Sequence, residues 1–187
     1  MAVGDHRDSI DLNFSIQFIS LAGEHFSLIY AWFNEPHVQE FYSLRSWTLE
    51  EVSDKLTPYL ENWRGIHSFI VSVGNQNIGY VQKYALNDSQ SPEYELNSEL
   101  LATGSGIDFF IGDKNFLKRG FSQIIVGNFL QKEIAPYYRE CLVDPDVRNS
   151  ASIRLFERCG FVKTNRIKSK DALGRPVELQ ILTLAFP

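Results

Sequence analysis

Hydrophobic and polar positions follow two different periods along the chain, and these periods predict its elements. Apolar residues alternate with polar ones over residues 14–20, which predicts a first strand. They recur at helical spacing over residues 24–34, which predicts a first helix that Pro36 ends. The chain therefore opens with a strand and then a helix.

Capping signals mark two further helices. Thr48 and Glu51 have the spacing of a capping box, so a second helix is expected to begin there, with Pro58 bending or interrupting it. Asn149 can cap the first turn of a later helix, and Gly160 can end that helix in the left-handed conformation. Both helices therefore have predictable ends.

The rest of the chain is rich in strand-like stretches separated by turn residues. Two stretches around the turn residues 74–77 predict a hairpin. The other elements expected are a strand at 106–112, a helix at 120–134, a strand at 140–144, and a final hairpin of 161–169 with 177–186. The predicted order is β, α, α, β, β, β, α, β, α, β, β.

Composition narrows the class of protein. The 187 residues contain no Gly/Ser-rich or charged linker, so one domain spanning residues 1–187 is expected. A net charge of -5 disfavours a nucleic-acid partner and favours a cationic ligand. Cys141 and Cys159 form no disulfide framework and match no zinc spacing, which fits a cytoplasmic protein without a metal. No apolar run of signal-peptide or membrane-spanning length is present, so no membrane association is expected.

Three stretches carry a more specific pattern: YAWFNEPHVQEFY at 30–42, GIDFFIGDKNFLKRGFSQIIV at 106–126 and NSASIRLFERCGF at 149–161. Together with the element order, they resemble the GCN5-related N-acetyltransferase (GNAT) superfamily over nearly the whole chain. The resemblance implies an α/β (α+β) fold in which about four helices flank a mixed, mostly antiparallel twisted sheet of about seven strands. It also implies acetyl-CoA as co-substrate and no metal.

The second stretch contains a candidate phosphate site. A strand that feeds a helix through Lys118, Arg119 and Gly120 presents amide hydrogens and the positive end of the helix dipole at one point. In the superfamily this turn follows Gln/Arg-x-x-Gly-x-Gly/Ala and holds the pyrophosphate of acetyl-CoA. Gly120 matches that pattern, whereas Leu117 and Ser122 stand at its two ends. The resemblance assigns the coenzyme to Leu117, Lys118, Arg119, Gly120, Phe121 and Ser122. The alternative is an ordinary helix start with a tolerated glycine.

The third stretch resembles the superfamily segment N-x-x-A/S-x-x-x-Y/F-x-x-x-G-F. The resemblance places Asn149 and Phe156 beside the pantetheine and the departing sulfur of the coenzyme. Many members have Tyr at the position of Phe156, where its hydroxyl can protonate the coenzyme thiolate. Phe cannot donate that proton, so the thiolate is expected to leave unassisted or with the help of water.

Asp108 is the candidate base. The resemblance places it on the strand that borders the thioester, where a carboxylate can take a proton from the acceptor ammonium. The backbone amides near Phe109, Phe110 and Ile111 are expected to polarise the thioester carbonyl. The alternative for Asp108 is a strand carboxylate satisfied by its neighbours. Direct transfer without an acyl-enzyme is expected, because both cysteines resemble small buried hydrophobic residues.

The first stretch resembles the aminoglycoside 6′-N-acetyltransferase branch, which implies that Trp32, Phe41 and Tyr42 contact the acceptor. For Trp32 a core position is an equal alternative. Several carboxylates around one cleft would suit a small cationic amine such as an aminoglycoside, and the candidates are Glu93, Glu95, Glu99 and Asp144. The alternative is a solvated acidic loop.

Two other functions stay open. FIGDKNFLKRGF and DPDVRN also resemble the siderophore hydroxylamine N-acyltransferases, although that branch typically has His at the position of Asp108. A noncatalytic acyl-CoA-binding module is the second alternative, because Phe156 and the incomplete phosphate pattern each remove part of the catalytic signature. The sequence leaves the oligomeric state and the physiological acceptor undetermined.

Overall fold

Seven strands form a single sheet in the computed structural model, which describes residues 15–86 and 94–187. The strand order across the sheet is β1-β2-β3-β4-β5-β7-β6. Every neighbouring pair is antiparallel except β4 and β5, so the predicted mixed, mostly antiparallel sheet of about seven strands is confirmed. The strands are β1 Ile16–Ser20, β2 His67–Val73, β3 Gln76–Ala85, β4 Gly104–Ile111, β5 Glu140–Val143, β6 Val162–Lys170 and β7 Pro176–Ala185.

Helices occupy the connections between the first six strands, except the tight turn that joins β2 to β3. They are α1 Phe26–Phe33, α2 Pro36–Val38, α3 Leu49–Leu56, α4 Ser98–Thr103, α5 Phe121–Phe129 and α6 Ser150–Arg158. The four predicted helices correspond to α1, α3, α5 and α6. The sequence pattern missed α2 and α4 because each is too short to show a helical period. Part of the predicted first strand, at residue 14, lies outside the described residues.

The predicted helix ends are confirmed where a local hydrogen bond defines them. Glu51 N donates to Thr48 Oγ1 at 3.2 Å, and Thr48 N donates to the Glu51 side chain at 2.8 Å, which completes the capping box of α3. Helix α3 ends before Pro58, and a 3-10 turn follows it. Asn149 Oδ1 accepts from Ser152 N at 3.1 Å, so Asn149 caps α6.

The two faces of the sheet are covered by different helices. Buried Ile107 and Ile111 of β4 share one hydrophobic cluster with residues of α5 and α6. Buried Tyr80 and Phe110 share another with residues of α1 and α3, because side chains alternate between the two faces of a strand. A long side chain on β4 therefore points either toward α1 and α3 or toward α5 and α6. No helix in the described part of the chain is both long and apolar enough to cross a membrane.

Gly112, directly after β4, allows the first helix to pack closely against the sheet. A Cβ atom at this position would lie 2.1 Å from Cδ2 of Trp32, well inside van der Waals contact. Trp32 itself is buried, and its ring meets the Phe110 ring edge-on with centroids 6.2 Å apart. The absent side chain at Gly112 therefore provides the space that the indole ring fills.

Gly112→Ala is expected to lower the free energy of unfolding by about 1–3 kcal/mol, because Trp32 must move to make room. At this chain length each kcal/mol changes the melting temperature by about 2–4 °C. Gly127→Ala is the matched control. Gly127 lies in helix α5, and a Cβ atom there would meet nothing within 4 Å. It should raise the melting temperature slightly. Equal effects of the two substitutions would contradict the packing argument.

Candidate active site

Strands β4 and β5 pair over a short stretch and then part. The parallel pairing joins Gly104–Gly106 of β4 to Glu140–Leu142 of β5 and ends there, while β4 continues to Ile111. On its other side, β4 stays paired with β3 as far as Ile111. The last five residues of β4 therefore border an opening between the two strands.

The backbone groups that face this opening follow from the hydrogen bonds on the other side of β4. Leu86 N donates to Gly104 O, and Gly112 N donates to Ile78 O, so the even-numbered residues between them direct their backbone groups toward β3. The odd-numbered residues direct theirs toward the opening. The amide hydrogens of Phe109 and Ile111 consequently point toward the place where β5 has turned away.

His37 closes one end of the opening. Its Nε2 lies 3.0 Å from the carbonyl oxygen of Ile111. A carbonyl can only accept, so Nε2 carries the hydrogen and donates it. This bond ties the one-turn helix α2 to the end of β4 and thereby fixes the first helical region against the edge of the opening.

The turn before α5 has the backbone shape of an anion site. Lys118 and Gly120 both have left-handed φ angles, 59° and 82°, which bring successive amides around one point. Helix α5 begins after Gly120, and no side chain caps its first turn. The positive end of the helix dipole and the amide hydrogens of Ser122 and Gln123 are therefore directed toward this point. Lys118 and Arg119 are exposed and cationic.

Leu117 and Phe121 have a different position from the rest of this turn. Leu117 is partly buried and packs against the main hydrophobic cluster, in which Phe121 is buried. The residue at the Gln/Arg position of the family pattern therefore anchors the turn to the core. The groups of this turn that could bind an anion are the backbone amides, Lys118 and Arg119.

Helix α6 packs on the same face of the sheet as α5, against Ile107 and Ile111 of β4. Phe156 is buried in the main cluster, and its ring lies edge-on to Phe161 with centroids 5.2 Å apart. Gln123 Nε2 donates to Arg158 O at 3.2 Å and joins α5 to α6. Arg154 and Glu157 lie on the exposed face of α6. Phe156 consequently supplies packing and no proton donor.

Asp108 is even-numbered, so its side chain lies on the face of β4 that α1 and α3 cover. It is largely buried, and its Oδ2 accepts a 2.6 Å hydrogen bond from Gln82 Nε2 on the neighbouring strand. Burial raises the pKa of the Asp108 carboxyl to about 7, and nearby Asp144 adds to this shift. The hydrogen bond from Gln82 and the charge of Lys55 oppose it. Asp108 can therefore exchange a proton near neutral pH.

Asp144, directly after β5, is the second carboxylate of the site. The Tyr94 hydroxyl donates a hydrogen bond to Asp144 Oδ2. Burial raises the pKa of Asp144, and the bond from Tyr94 opposes that shift. Burial raises the pKa of Tyr84, and the charges of both Asp108 and Asp144 add to that shift, so Tyr84 lies in the field of both carboxylates.

The predicted acidic residues do not all gather around Asp108. Glu93 lies outside the described residues. Glu95 and Glu99 are exposed, and Glu99 lies in the first turn of α4. Asp144 is therefore the predicted acidic residue whose charge acts on Asp108.

The three aromatic residues that were predicted to contact the acceptor take different positions in the structure. Trp32 lies in the core, as described above, because the α1 stripe that carries it faces the sheet. Phe41 and Tyr42 are partly buried in a π-helical turn at Gln39–Ser43. Tyr42 contacts the cluster, with its ring 4.6 Å from Phe110, and burial together with Tyr80 and Asp108 raises its pKa. Tyr42 is thus the aromatic of this set that lies in the field of Asp108.

Several residues of the site were not predicted from the sequence. One of them is Lys55, a cation whose charge acts on Asp108. Its Nζ lies 6.0 Å from the centroid of the Trp47 ring and 5.9 Å from that of the Tyr59 ring. Burial lowers the pKa of Lys55, and Asp108 opposes that shift. Tyr80, Gln82 and Tyr84 were also missed. The two-residue alternation of β3 gave a signal for these three, because it places them on one face.

These groups give the site two distinct halves. The side of the opening toward α5 and α6 offers backbone amides and cations, which suit an elongated anion. The side toward α1 and α3 offers Asp108 and Asp144 with aromatic neighbours, which suits an amine. No group of three or more His, Cys, Asp or Glu side chains in residues 15–86 and 94–187 is arranged to hold a metal ion.

Two known proteins that match most of this chain in sequence are acetyltransferases. The aminoglycoside N(6′)-acetyltransferase type 1 of Klebsiella pneumoniae is 23% identical over 173 residues, which cover 90% of this chain and 82% of the relative. The enzyme of the same name from Serratia marcescens matches to the same extent.

Solved structures share the fold. The aminoglycoside acetyltransferase AAC(6′)-Ib in complex with coenzyme A superposes with a TM-score of 0.73 at 21% identity, covering 89% of this chain and 94% of that one. The spermidine N-acetyltransferase from Vibrio cholerae, solved with CoA and spermine, superposes with a TM-score of 0.72 at 14% identity, covering 91% and 95%.

A family model described as an acetyltransferase (GNAT) domain matches residues 22–169, which include every strand from β2 to β5, the parting of β4 from β5, and the turn before α5. The resemblance seen in the sequence is thereby confirmed, and the chain belongs to the GNAT acetyltransferase family.

Proposed function

We propose that this GNAT protein transfers the acetyl group of acetyl-CoA directly to a primary amine of a small cationic acceptor, and that the 6′-amine of an aminoglycoside is that amine. The observation that carries the proposal is Asp108, a largely buried carboxylate with a pKa of about 7 beside the opening between β4 and β5. The aminoglycoside 6′-acetyltransferases among the relatives support the choice of acceptor.

The coenzyme half of the site fits acetyl-CoA. The left-handed residues Lys118 and Gly120, together with the start of α5, would hold the pyrophosphate. The pantetheine would run along the opening toward the amides of Phe109 and Ile111, which would polarise the thioester carbonyl. When bound, acetyl-CoA supplies an acetyl group activated as a thioester.

The acceptor half supplies the base. An amine bound as the ammonium must lose a proton before its nitrogen can attack, and Asp108 would take that proton. The new bond joins the acceptor nitrogen to the acetyl carbon as the bond from that carbon to sulfur breaks. A pKa near 7 suits this role, since a useful fraction of Asp108 is ionised at neutral pH and still basic enough to accept the proton.

The charge around Asp108 favours one class of acceptor. Asp144 lies close enough to raise the pKa of Asp108, and a bound cation would relieve that repulsion. Tyr42 and Tyr59 lie in the same field, because the charge of Asp108 raises the pKa of both. A polyamine acceptor therefore matches this half better than an anionic one.

A coenzyme-release assay on matched acceptors tests this function. Aminoglycosides with a 6′-amine should release coenzyme A, whereas analogues with a 6′-hydroxyl should not be acetylated at that carbon. Asp108→Asn should lower kcat by about 10²-fold or more, because it removes the base and keeps the side-chain shape. Acetyl-CoA should raise the melting temperature of both proteins, since the coenzyme half is unchanged.

The same assay separates the alternatives. Preference for an N-hydroxylated amine over its parent amine would assign the chain to the hydroxylamine N-acyltransferases. Preference for spermidine or a peptide would refute the aminoglycoside as acceptor but keep the acetyltransferase. Stabilisation by acetyl-CoA without turnover on any amine, hydroxylamine or peptide would indicate a binding module.

Asp108 should also make the free energy of unfolding depend on pH. Its pKa is about 7 in the folded protein and near the ordinary 3.8 in the unfolded chain, so the folded state holds the extra proton between these values. The free energy of unfolding therefore falls as pH rises from about 4 to about 7, and stays lower above that range. Asp108→Asn removes this loss, which the difference between these two pKa values puts on the order of 4 kcal/mol.

Melting curves of wild type and Asp108→Asn at pH 5 and pH 8 measure this effect. The substitution should raise the melting temperature by several degrees at pH 8 and by less at pH 5. Asp54→Asn, at an exposed position on α3, is the control and should show no such pH dependence. A larger gain at pH 5 than at pH 8 would contradict the raised pKa.

Lys55 should tune the acceptor half, because its charge faces Asp108 and repels a second cation. Lys55→Gln is expected to lower KM for a cationic acceptor about 2- to 5-fold at low salt, and less at high salt. It should also move the acid limb of the rate profile to higher pH, since Lys55 holds the pKa of Asp108 down. Lys132→Gln, at an exposed position after α5, is the control. An unchanged KM would place Lys55 outside the acceptor half.

A further inference from the structure

A chain of side-chain hydrogen bonds crosses three strands and ends on Asp108. Tyr80 Oη lies 2.7 Å from Ser68 Oγ on β2 and 2.7 Å from Gln82 Oε1 on its own strand. Gln82 Nε2 donates to Asp108 Oδ2 on β4 at 2.6 Å. The antiparallel register brings these residues into line, because Gln82 is paired with both Ser68 and Asp108.

The direction of the chain follows from the donors and acceptors that each group has. An amide oxygen can only accept, so Tyr80 must give its single hydroxyl hydrogen to Gln82 Oε1. The Ser68 hydroxyl then donates to the Tyr80 oxygen. With its oxygen held by Tyr80, the Gln82 amide must direct its NH₂ group toward Asp108. A group that presents only hydrogens favours the carboxylate form of Asp108 over the neutral acid.

The members of the chain farthest from the site are held rigidly. Ser68 is 5% exposed and Tyr80 is 1% exposed. The Tyr80 ring stacks on the Phe110 ring, with centroids 5.6 Å apart. The Tyr42 ring lies edge-on to the Tyr80 ring, with centroids 6.3 Å apart. The hydroxyl that orients Gln82 therefore sits on a ring that the core fixes in place.

Few of the groups around Asp108 favour its charged form. The titratable groups that interact with it are Tyr42, Lys55, Tyr59, Tyr80, Tyr84 and Asp144. Burial and Asp144 favour the neutral acid, whereas Gln82 and Lys55 oppose them. Lys55 acts as a charge at a distance, so Gln82 is the group that also fixes the direction of the carboxylate.

We propose that Gln82, oriented by Tyr80 and Ser68, is a positioning residue for the reaction. It holds Oδ2 of Asp108 and thereby turns Oδ1 toward the acceptor amine. This inference rests on the proposed function, because it gives Gln82 a role only if Asp108 takes the proton. Gln82 acts through Asp108 and contacts neither substrate.

The test compares Gln82→Leu, which removes the amide at similar size, with Tyr80→Phe, which removes one hydroxyl and keeps the ring. Gln82→Leu should lower kcat roughly 10-fold and leave KM for acetyl-CoA near the wild-type value. The acid limb of the kcat profile should move to higher pH by about one unit, because a bond that favours the carboxylate is lost. Tyr80→Phe should produce a smaller shift of the same sign, because the Gln82 amide is then free to rotate.

Two further variants separate positioning from a general loss of structure. In the double variant Asp108→Asn with Gln82→Leu, kcat should be no lower than in Asp108→Asn alone, because the second residue acts only through the first. Ser72→Ala removes another buried hydroxyl of β2 and should leave the profile unchanged. If Gln82→Leu does not fold, Tyr80→Phe with its own double variant carries the test.

The outcomes distinguish the positioning role of Gln82 from the assignment of Asp108 as the base. A lower kcat with an unmoved acid limb and additive double-variant losses would overturn the positioning role while the base assignment stands. An unchanged kcat in Asp108→Asn would overturn the base assignment and the positioning role together. A shifted acid limb with non-additive losses would support both.

Discussion

The site depends on the point at which β5 stops pairing with β4. Backbone amides in a sheet normally satisfy one another, and a strand whose partner turns away must offer its groups to something else. Here the unpaired edge falls on the last residues of β4, between the turn before α5 and the side chain of Asp108. The same departure of one strand thus leaves backbone groups free for the proposed thioester site and sets Asp108, the proposed base, beside them.

Local signals predicted much of the fold. Thr48 with Glu51, and Asn149 with Gly160, define helix ends through bonds or φ angles within a few residues, so the sequence contains all the information that is needed. The short helix α4 was missed because six residues cannot display a helical period. The strand order required the family resemblance, since no local pattern states which strand will lie beside which.

The site was less predictable for the same reason. Asp108 could be chosen from its position before the phosphate turn, but its partner Gln82 depends on the register of two strands that lie far apart in sequence. Trp32 was ambiguous because an aromatic stripe on a helix does not reveal what covers it, and only the contact with Gly112 places it in the core. Lys55 was missed because a lysine on an exposed helix usually faces water.

If the acceptor ammonium binds beside Asp108 as proposed, the raised pKa of this carboxyl couples acceptor binding to the release of protons. Below about pH 7 a large share of the protein holds a proton on this carboxyl, and an ammonium bound beside it favours the ionised form. Binding of a cationic acceptor must then release protons to the buffer. The heat that a titration calorimeter records will include the ionisation enthalpy of that buffer, and the apparent affinity will rise with pH until the carboxyl is fully ionised before the acceptor arrives.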